Sequence, residues 1–307
     1  MQKTQQIDNY LVTPTKKEYE IISPKYKNVF LSLKINNFDV NPLLVFRAMR
    51  SKDCFYMQKK YPGDKDPYET IMGHKISETI KISGLNPINK IRKLIEDTKS
   101  LTYCDENKHD GFFSYFSYEC FQYFDKVPRL KKDPNDCPEC LVMNPGIIST
   151  YDHKQKSIVI SKKYKSSPEN YDKYKEDLVK IAQSIIEKAK QLNINVPEKL
   201  KGLKSKTITN KNNYLEKINK IKKEIVSGEL IQCVLTQRFK KASKISDQEL
   251  LEYLSINYPS EYVYRLNLYH QCHTIHYLIQ DLHIVYYRPD ANSSSFQTYK
   301  NLYLNIY

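Results

Sequence analysis

Two glutamines, Gln232 and Gln237, stand in the otherwise largely apolar run Glu229-Leu230-Ile231-Gln232-Cys233-Val234-Leu235-Thr236-Gln237-Arg238-Phe239. β-Branched and apolar residues without a turn signal predict a mostly buried strand here. A buried amide is costly unless it finds partners. Two readings of the pair are open. The amides tie neighbouring strands together, or Gln232 lines a polar active site. In a site its chemistry is restricted: an amide orients a nucleophile or leaving group by hydrogen bonding, but takes up no proton near neutral pH.

Two other clusters have the residue types for chemistry. Cys137-Pro138-Glu139-Cys140 has redox or metal spacing. A redox pair needs a helix starting at the first cysteine, and a zinc site needs a second ligand pair. Neither is visible in the sequence, so a structural role is expected. His270, Cys272, His273, His276 and His283 form the second cluster, and the spacing of three among the first histidines suits one helical face. A structural zinc site also needs a folded frame. Tyr269 to Tyr307 shows no convincing core, which predicts a poorly ordered tail and no metal.

Elements must place these residues. Ile218, Ile221, Ile225 and Val226 recur at helical spacing, and Gly228 follows where a helix end wants a left-handed residue. Strands are predicted at Val29–Ile35, Cys54–Met57, Glu78–Ile82, Phe112–Tyr118, Ile147–Tyr151 and Ser157–Ser161, the last running into a lysine-rich loop. Ile88, Ile91, Leu94 and Ile95 mark a helix. Ser167 as cap and Pro168 at the first helical position begin a longer one, with the stripe Tyr171, Tyr174, Leu178, Ile181, Ile185 and Leu192. These predict an α+β fold whose antiparallel β-rich N-terminal lobe, residues 1–165, has helices on one side. A helix and linker follow at 166–206, the Pro- and Gly-containing, lysine-rich stretch from Asn193 marking the boundary. A further domain begins at 207–268, and 269–307 is a tail of different composition.

Composition narrows the function. A net charge of +14 suits nucleic acid, yet only seven of the 49 basic residues are arginine, and the lysines are spread along the chain. Arginine forks are what phosphate and base edges favour, so no nucleic-acid partner is expected. Seven cysteines, an odd number, do not suit a disulfide framework. With no signal peptide and no apolar run of membrane-spanning length, a cytoplasmic, reducing setting is expected.

Four collinear blocks carry a resemblance. Gly228 to Phe239 resembles G-D-I-F-Q-V-V-L-S-Q-R-F, which opens the chorismate-binding half of anthranilate synthase component I. Tyr258-Pro259-Ser260-Glu261-Tyr262-Val263-Tyr264 is similar to N-P-S-P-Y-M-F in that family. Gly111-Phe112-Phe113-Ser114-Tyr115-Phe116-Ser117-Tyr118-Glu119, followed by Tyr123-Phe124-Asp125-Lys126-Val127-Pro128, resembles its G-Y-x-G-Y-D and R-Y-F-E-x-L-P, and the shorter Thr70-Ile71-Met72-Gly73 resembles its S-F-I-G. Pro138-Glu139 and Tyr151-Asp152-His153 follow in the family's order. The resemblance runs from about Val29 to Leu266. It then stops, where the family continues with a V-G-S-S-P-E turn and a long catalytic portion. Lys300 is the only lysine after Lys244, and four of the seven histidines fall between His270 and His283. The tail fits a divergent domain end, an alternative exon or a shifted reading frame, and the joint loss of motif and lysine favours the last.

The resemblance implies the start of the two-lobed chorismate-binding domain and a lyase of tryptophan biosynthesis. That enzyme converts chorismate and ammonia, supplied by a glutamine amidotransferase partner, to anthranilate and pyruvate with Mg²⁺. The family's Mg²⁺ ligands lie in the portion not matched, so none is assigned here, and the chain is expected to be inactive by itself. Isochorismate-forming relatives carry lysine as general base where Gln232 stands, so Gln232 implies the ammonia-using branch. Val234, where aminodeoxychorismate synthases of the folate pathway usually have Asn, favours anthranilate over that alternative; a non-catalytic interaction scaffold is the other. Ser260 and Tyr262 match effector-binding positions. Glu261, Val263 and the element Tyr56-Met57-Gln58-Lys59, with lysine in place of a serine, argue against binding an ammonium effector.

Overall fold

The computed structural model describes residues 10–49, 51, 53–82, 87–99, 102–103, 112–123, 139–194, 206–207, 210–233, 235, 237–241, 246–257, 260–267, 273–279, 282–287 and 301–306. The fold is α+β, in two compact units. The first comprises residues 1–56 and 66–194; the second comprises 57–65 and 195–307.

In the first unit the elements run β1 (Tyr10–Thr13), α1 (Lys16–Ile22), β2 (Asn28–Ile35), α2 (Pro42–Met49), β3 (Cys54–Lys59), β4 (Glu69–Ile82), α3 (Pro87–Lys99), β5 (Thr102–Tyr103), β6 (Phe113–Phe116), β7 (Cys140–Asp152), β8 (Ser157–Lys165) and α4 (Tyr171–Lys190). β3 crosses into the second unit after Tyr56. The sheet order is β1-β2-β8-β7-β4-β3, with β6 beside the start of β7 and β5 beside β2. All registered pairs are antiparallel except β2 with β5. β2 and β7 are buried along most of their length, the pattern of strands covered on both faces. α4 lays Tyr171, Leu178, Ala182, Ile185, Ile186 and Ala189 inward, the two alanines allowing close approach to its neighbours α2 and β2. Asp177 on α4 accepts from Lys162 (2.6 Å) and from the Tyr164 hydroxyl (2.7 Å), tying the helix to β8.

Several sequence expectations change here. Thr70–Gly73 and Glu78–Ile82 belong to one strand, β4, which continues through a bulge between Ile76 and Glu78. The lysines after Ser161 lie within β8 rather than in a loop, because pairing with β2 extends to Lys165. Ser167 does not cap through its hydroxyl, which donates to Glu169 instead; a short 3-10 turn, Pro168–Asn170, precedes α4. The cap that the sequence reading missed is Thr15. Its hydroxyl accepts from Glu18 N, while Glu18 Oε2 accepts from Thr15 N at 2.7 Å, a reciprocal capping box that starts α1.

The second unit contains β9 (Lys206–Thr207), α5 (Lys211–Val226), β10 (Gln237–Lys241), α6 (Asp247–Asn257), β11 (Tyr262–Asn267), β12 (His273–Ile279), β13 (Leu282–Tyr287) and β14 (Asn301–Ile306). The antiparallel order is β11-β12-β13-β14-β10-β9. The tail expected to be poorly ordered thus supplies three strands. Runs such as Ile275 to Ile279 and Ile284 to Tyr287 combine β-branched and aromatic residues, which suit a pleated ladder even where composition departs from the preceding chain. Leu250, Leu251 and Leu254 of α6 and Val263 and Leu266 of β11 are buried.

Candidate functional site

α5 ends where the sequence predicts. Gly228 has φ +83°, its N–H donates to Ile225 O (3.1 Å), and Glu229 N–H reaches back to Glu224 O (3.0 Å). This is a Schellman closure, which only a residue tolerant of left-handed geometry completes without strain. The buried strand expected from Glu229 onward does not follow. Leu230 to Cys233 form no ladder, Gln232 and Cys233 are exposed, and Ile231 is 99% exposed. The strand begins only at Gln237. β-Propensity requires a neighbouring strand to be realised, and among the described residues none pairs with Leu230–Cys233. Gln232 therefore presents an amide to open surface. It can donate and accept there, but no surrounding wall strengthens those bonds by excluding water.

Ser260 and Tyr262 flank the turn into β11, where Tyr262 is 48% exposed. Lys60 N–H donates to Glu261 O at 2.8 Å, which brings the chain just after Lys59 beside this turn. Behind it lies a polar cluster that the sequence reading missed. Arg265 is completely buried. Its Nη2 donates to Asp247 and its Nη1 to Gln248 Oε1 (2.7 Å), while Gln248 Nε2 donates to Glu252 Oε1 (2.8 Å). Asp247, Gln248 and Glu252 are all buried on α6. A capping box between Ser246 and Glu249 starts that helix and sets the rotation that points Asp247 at β11. The available signal was the alternation in β11, where Arg265 shares the inward face with Val263.

The first unit holds a second buried polar group. His74 on β4 sits against the Phe46 ring (5.5 Å between centroids) with neither ring nitrogen in a well-formed hydrogen bond. Burial pushes its pKa down to about 3, with the Met49 backbone acting weakly in the opposite direction. Nearby on the same strand, Thr70 Oγ1 lies 2.8 Å from His153 Nε2, and Thr70 also bonds the Tyr56 phenol, which burial holds above its ordinary range. Burial likewise lowers His153, against the pull of Asp152 and Asp66. Both imidazoles are neutral near pH 7.

The remaining candidates do not converge. Cys137 and Pro138 lie outside the described residues. Cys140 is buried, its thiol pushed up to about 11 by burial and then by Cys120, whose Sγ donates to Glu139 O (2.9 Å). A thiol so protonated is a core group, since reaction needs the thiolate. His270 and Cys272 are also outside the described residues. His273 and His276 lie on β12 and His283 on β13, so the helical face that their spacing suited does not form. Among the described residues no three His, Cys, Asp or Glu side chains group as a metal site requires. None of the described helices is long and apolar enough to cross a membrane.

The sequence profile of the chorismate binding enzymes matches residues 52–274, well over half of the 307. The chain belongs to the chorismate-binding enzyme family. The match starts later than Val29 and extends past Leu266 into the first residues of β12. Among curated members of the family, anthranilate synthase component 1 of Acetivibrio thermocellus is 21% identical over 279 residues, covering 82% of this chain and 56% of that protein. The protein of the same name from Buchnera aphidicola (subsp. Baizongia pistaciae) is 27% identical over 232 residues, covering 73% and 42%. The crystal structure of anthranilate synthase component I from Streptococcus pneumoniae TIGR4 superposes with a TM-score of 0.51 at 16% identity, covering 83% of this chain and 57% of that one. The chain thus spans about half the length of the relatives it matches.

Proposed function

We propose that the chain is component I of an anthranilate synthase. The reaction joins ammonia, released from glutamine by an amidotransferase subunit, to chorismate and eliminates pyruvate to leave anthranilate, the first step of tryptophan biosynthesis. One observation carries this reading: curated relatives aligned across most of the chain share the name anthranilate synthase component 1. Gln232 supports it, because an amide orients ammonia or a departing hydroxyl but does not activate water as a lysine base would.

Mg²⁺ would polarise the substrate's oxygens when bound and demands hard oxygen ligands. Among the described residues no acidic side chains assemble such a set. In this reading its ligands belong to the part of the relatives that the chain does not span, and the 307-residue polypeptide alone forms no anthranilate. Lys59, a cation at the position where the family carries a serine, argues against regulation by an ammonium effector such as tryptophan.

The test is a chimera in which residues 1–266 precede the portion of the Acetivibrio thermocellus protein beyond the equivalent position. Given chorismate, an ammonium salt and Mg²⁺, it should produce fluorescent anthranilate, while the unfused chain should produce none. Aminodeoxychorismate or isochorismate as the main product would overturn the assignment.

A further inference from the structure

A tight turn joins β7 to β8, with Asp152 paired to Ser157 at its base and Asp152 Oδ1 accepting from Gln155 N (2.8 Å). His153 opens that turn, half-buried beside the exposed Lys154, Gln155 and Lys156. Two contacts hold it. Its N–H donates to Tyr68 O (3.1 Å), and its ring stands edge-on to Tyr151 with 4.8 Å between centroids. Nε2 is thereby aimed at Thr70 Oγ1, 2.8 Å away on β4, whose cross-strand partner is the same Tyr151. Thr70 is completely buried, as is Tyr56 on β3, whose phenol bonds Thr70. One hydroxyl therefore stands between a phenol sealed in the core and an imidazole that water reaches.

The protons available fix the direction of this chain. Thr70 has one proton to give and lone pairs to receive. A phenol is the more acidic of the two hydroxyls, so Tyr56 donates to Thr70. Thr70 then gives its own proton to Nε2, which leaves the neutral imidazole protonated at Nδ1. An imidazolium carries protons on both nitrogens. Its Nε2 can only donate, and Thr70 must turn its proton from the imidazole to the phenol oxygen.

We propose that Tyr56, Thr70 and His153 form a hydrogen-bond relay whose direction reverses when His153 takes up a proton, so that acidity at the β7–β8 turn is transmitted to a buried phenol on β3. Reversal turns the phenol proton away from Thr70 inside the core, where redirecting a hydroxyl is costly. Tyr56 is the last residue that β3 contributes to the first unit, so the reversed relay loosens that strand at its exit. The groups facing His153 set where the device acts. Asp152 on its own turn and Asp66 in the segment leading to β4 favour the imidazolium, and Glu69, the register partner of Asp152, adds a third carboxylate. Of the lysines in the turn, Lys156 is drawn to Asp39 (3.6 Å) and Lys154 is exposed, where water screens its charge. Burial outweighs the carboxylates, which puts the reversal on the acid side of the ordinary histidine range. The inference concerns the first unit alone and is independent of the reaction proposed above.

Ring ¹⁵N-labelled histidine and Cζ ¹³C-labelled tyrosine let NMR follow both ends of the relay in the full chain, from about pH 8 to about pH 5, across the range of an imidazole. Tyr56→Phe identifies the relevant tyrosine signal among 26, and His153→Gln the histidine. Neutral His153 should carry its proton on Nδ1, and the Tyr56 Cζ signal should shift with the midpoint of the His153 titration. In Thr70→Val, His153 should bind its proton roughly three- to tenfold more tightly, because the hydrogen bond that favours the neutral ring is gone. The Tyr56 signal should then no longer move with it. Thr70→Ser, which keeps the hydroxyl, should behave as the parent, and His153→Gln should leave Tyr56 flat across the range. Weaker proton binding in Thr70→Val would overturn the proposal, since Nε2 would then donate to Thr70 in both states. So would a Tyr56 signal that ignores the His153 midpoint in the parent chain, or one that still moves in His153→Gln.

Discussion

The guanidinium of Arg265, wholly buried on β11, donates to the carboxylate of Asp247 in the first turn of α6. The pair sets the position of the helix against the strand, and Gln248 extends the network to Glu252. Removing one partner strands a desolvated charge, which costs about 3–5 kcal/mol, whereas replacing a whole network by apolar residues can be neutral. Asp247→Ala should therefore lower the stability of the second unit by roughly that amount. Urea unfolding followed by circular dichroism measures it; a loss under about 1 kcal/mol would mean water reaches the guanidinium.

His74 predicts a pH dependence in the first unit. Its folded pKa, pushed down to about 3, lies below the unfolded value near 6.5. The unfolded chain therefore binds the extra proton as the pH falls. The stability due to this residue is complete above about pH 6.5 and is lost towards pH 3, at up to ~1.4 kcal/mol per unit. His153, also lowered by burial, acts with the same sign. His74→Leu should flatten the slope between pH 7 and 5, where most carboxylates remain ionised. Equal slopes for parent and variant in urea titrations at several pH values would exclude His74 as the source.

A close approach on β4 sets a third expectation. A Cβ on Gly73 would stand 2.0 Å from Phe55 Cε1, and that ring is stacked on Phe113 with centroids 4.2 Å apart. Gly73→Ala must displace the pair, and overpacking of this kind costs about 1–3 kcal/mol. Phe55→Leu in the same chain should recover most of the loss, a coupling that a double-mutant cycle of thermal or urea midpoints reads directly.

Gln232 can be examined in the chimera. Gln232→Ala should lower anthranilate turnover about ten- to a hundredfold, the equivalent of an amide hydrogen bond made in the transition state. Gln232→Lys should divert some chorismate to isochorismate, since an ammonium in a desolvated site can lose its proton and act as a base. Unchanged rate and product in both variants would assign Gln232 a structural role only.

Local pattern alone determined much of this chain. Val29–Ile35, Ile88–Ile95 and the end of α5 at Gly228 were legible because hydrophobic period and glycine geometry act within a few residues. The family motifs were legible for the same reason, being short runs read in order. Other features were decided only by tertiary structure. Leu230–Cys233 has the composition of a buried strand but lies open, because β-structure depends on a neighbour that no local pattern supplies. β4 begins at Glu69, well before the strand expected at Glu78, since its ladder with β7 continues past the local irregularity at Ile76 to Glu78. Arg265 looked like an ordinary strand residue until α6 placed Asp247 and Gln248 against it. A charge is tolerated in a core only when partners distant in sequence are folded onto it, and that pairing is a property of three-dimensional packing.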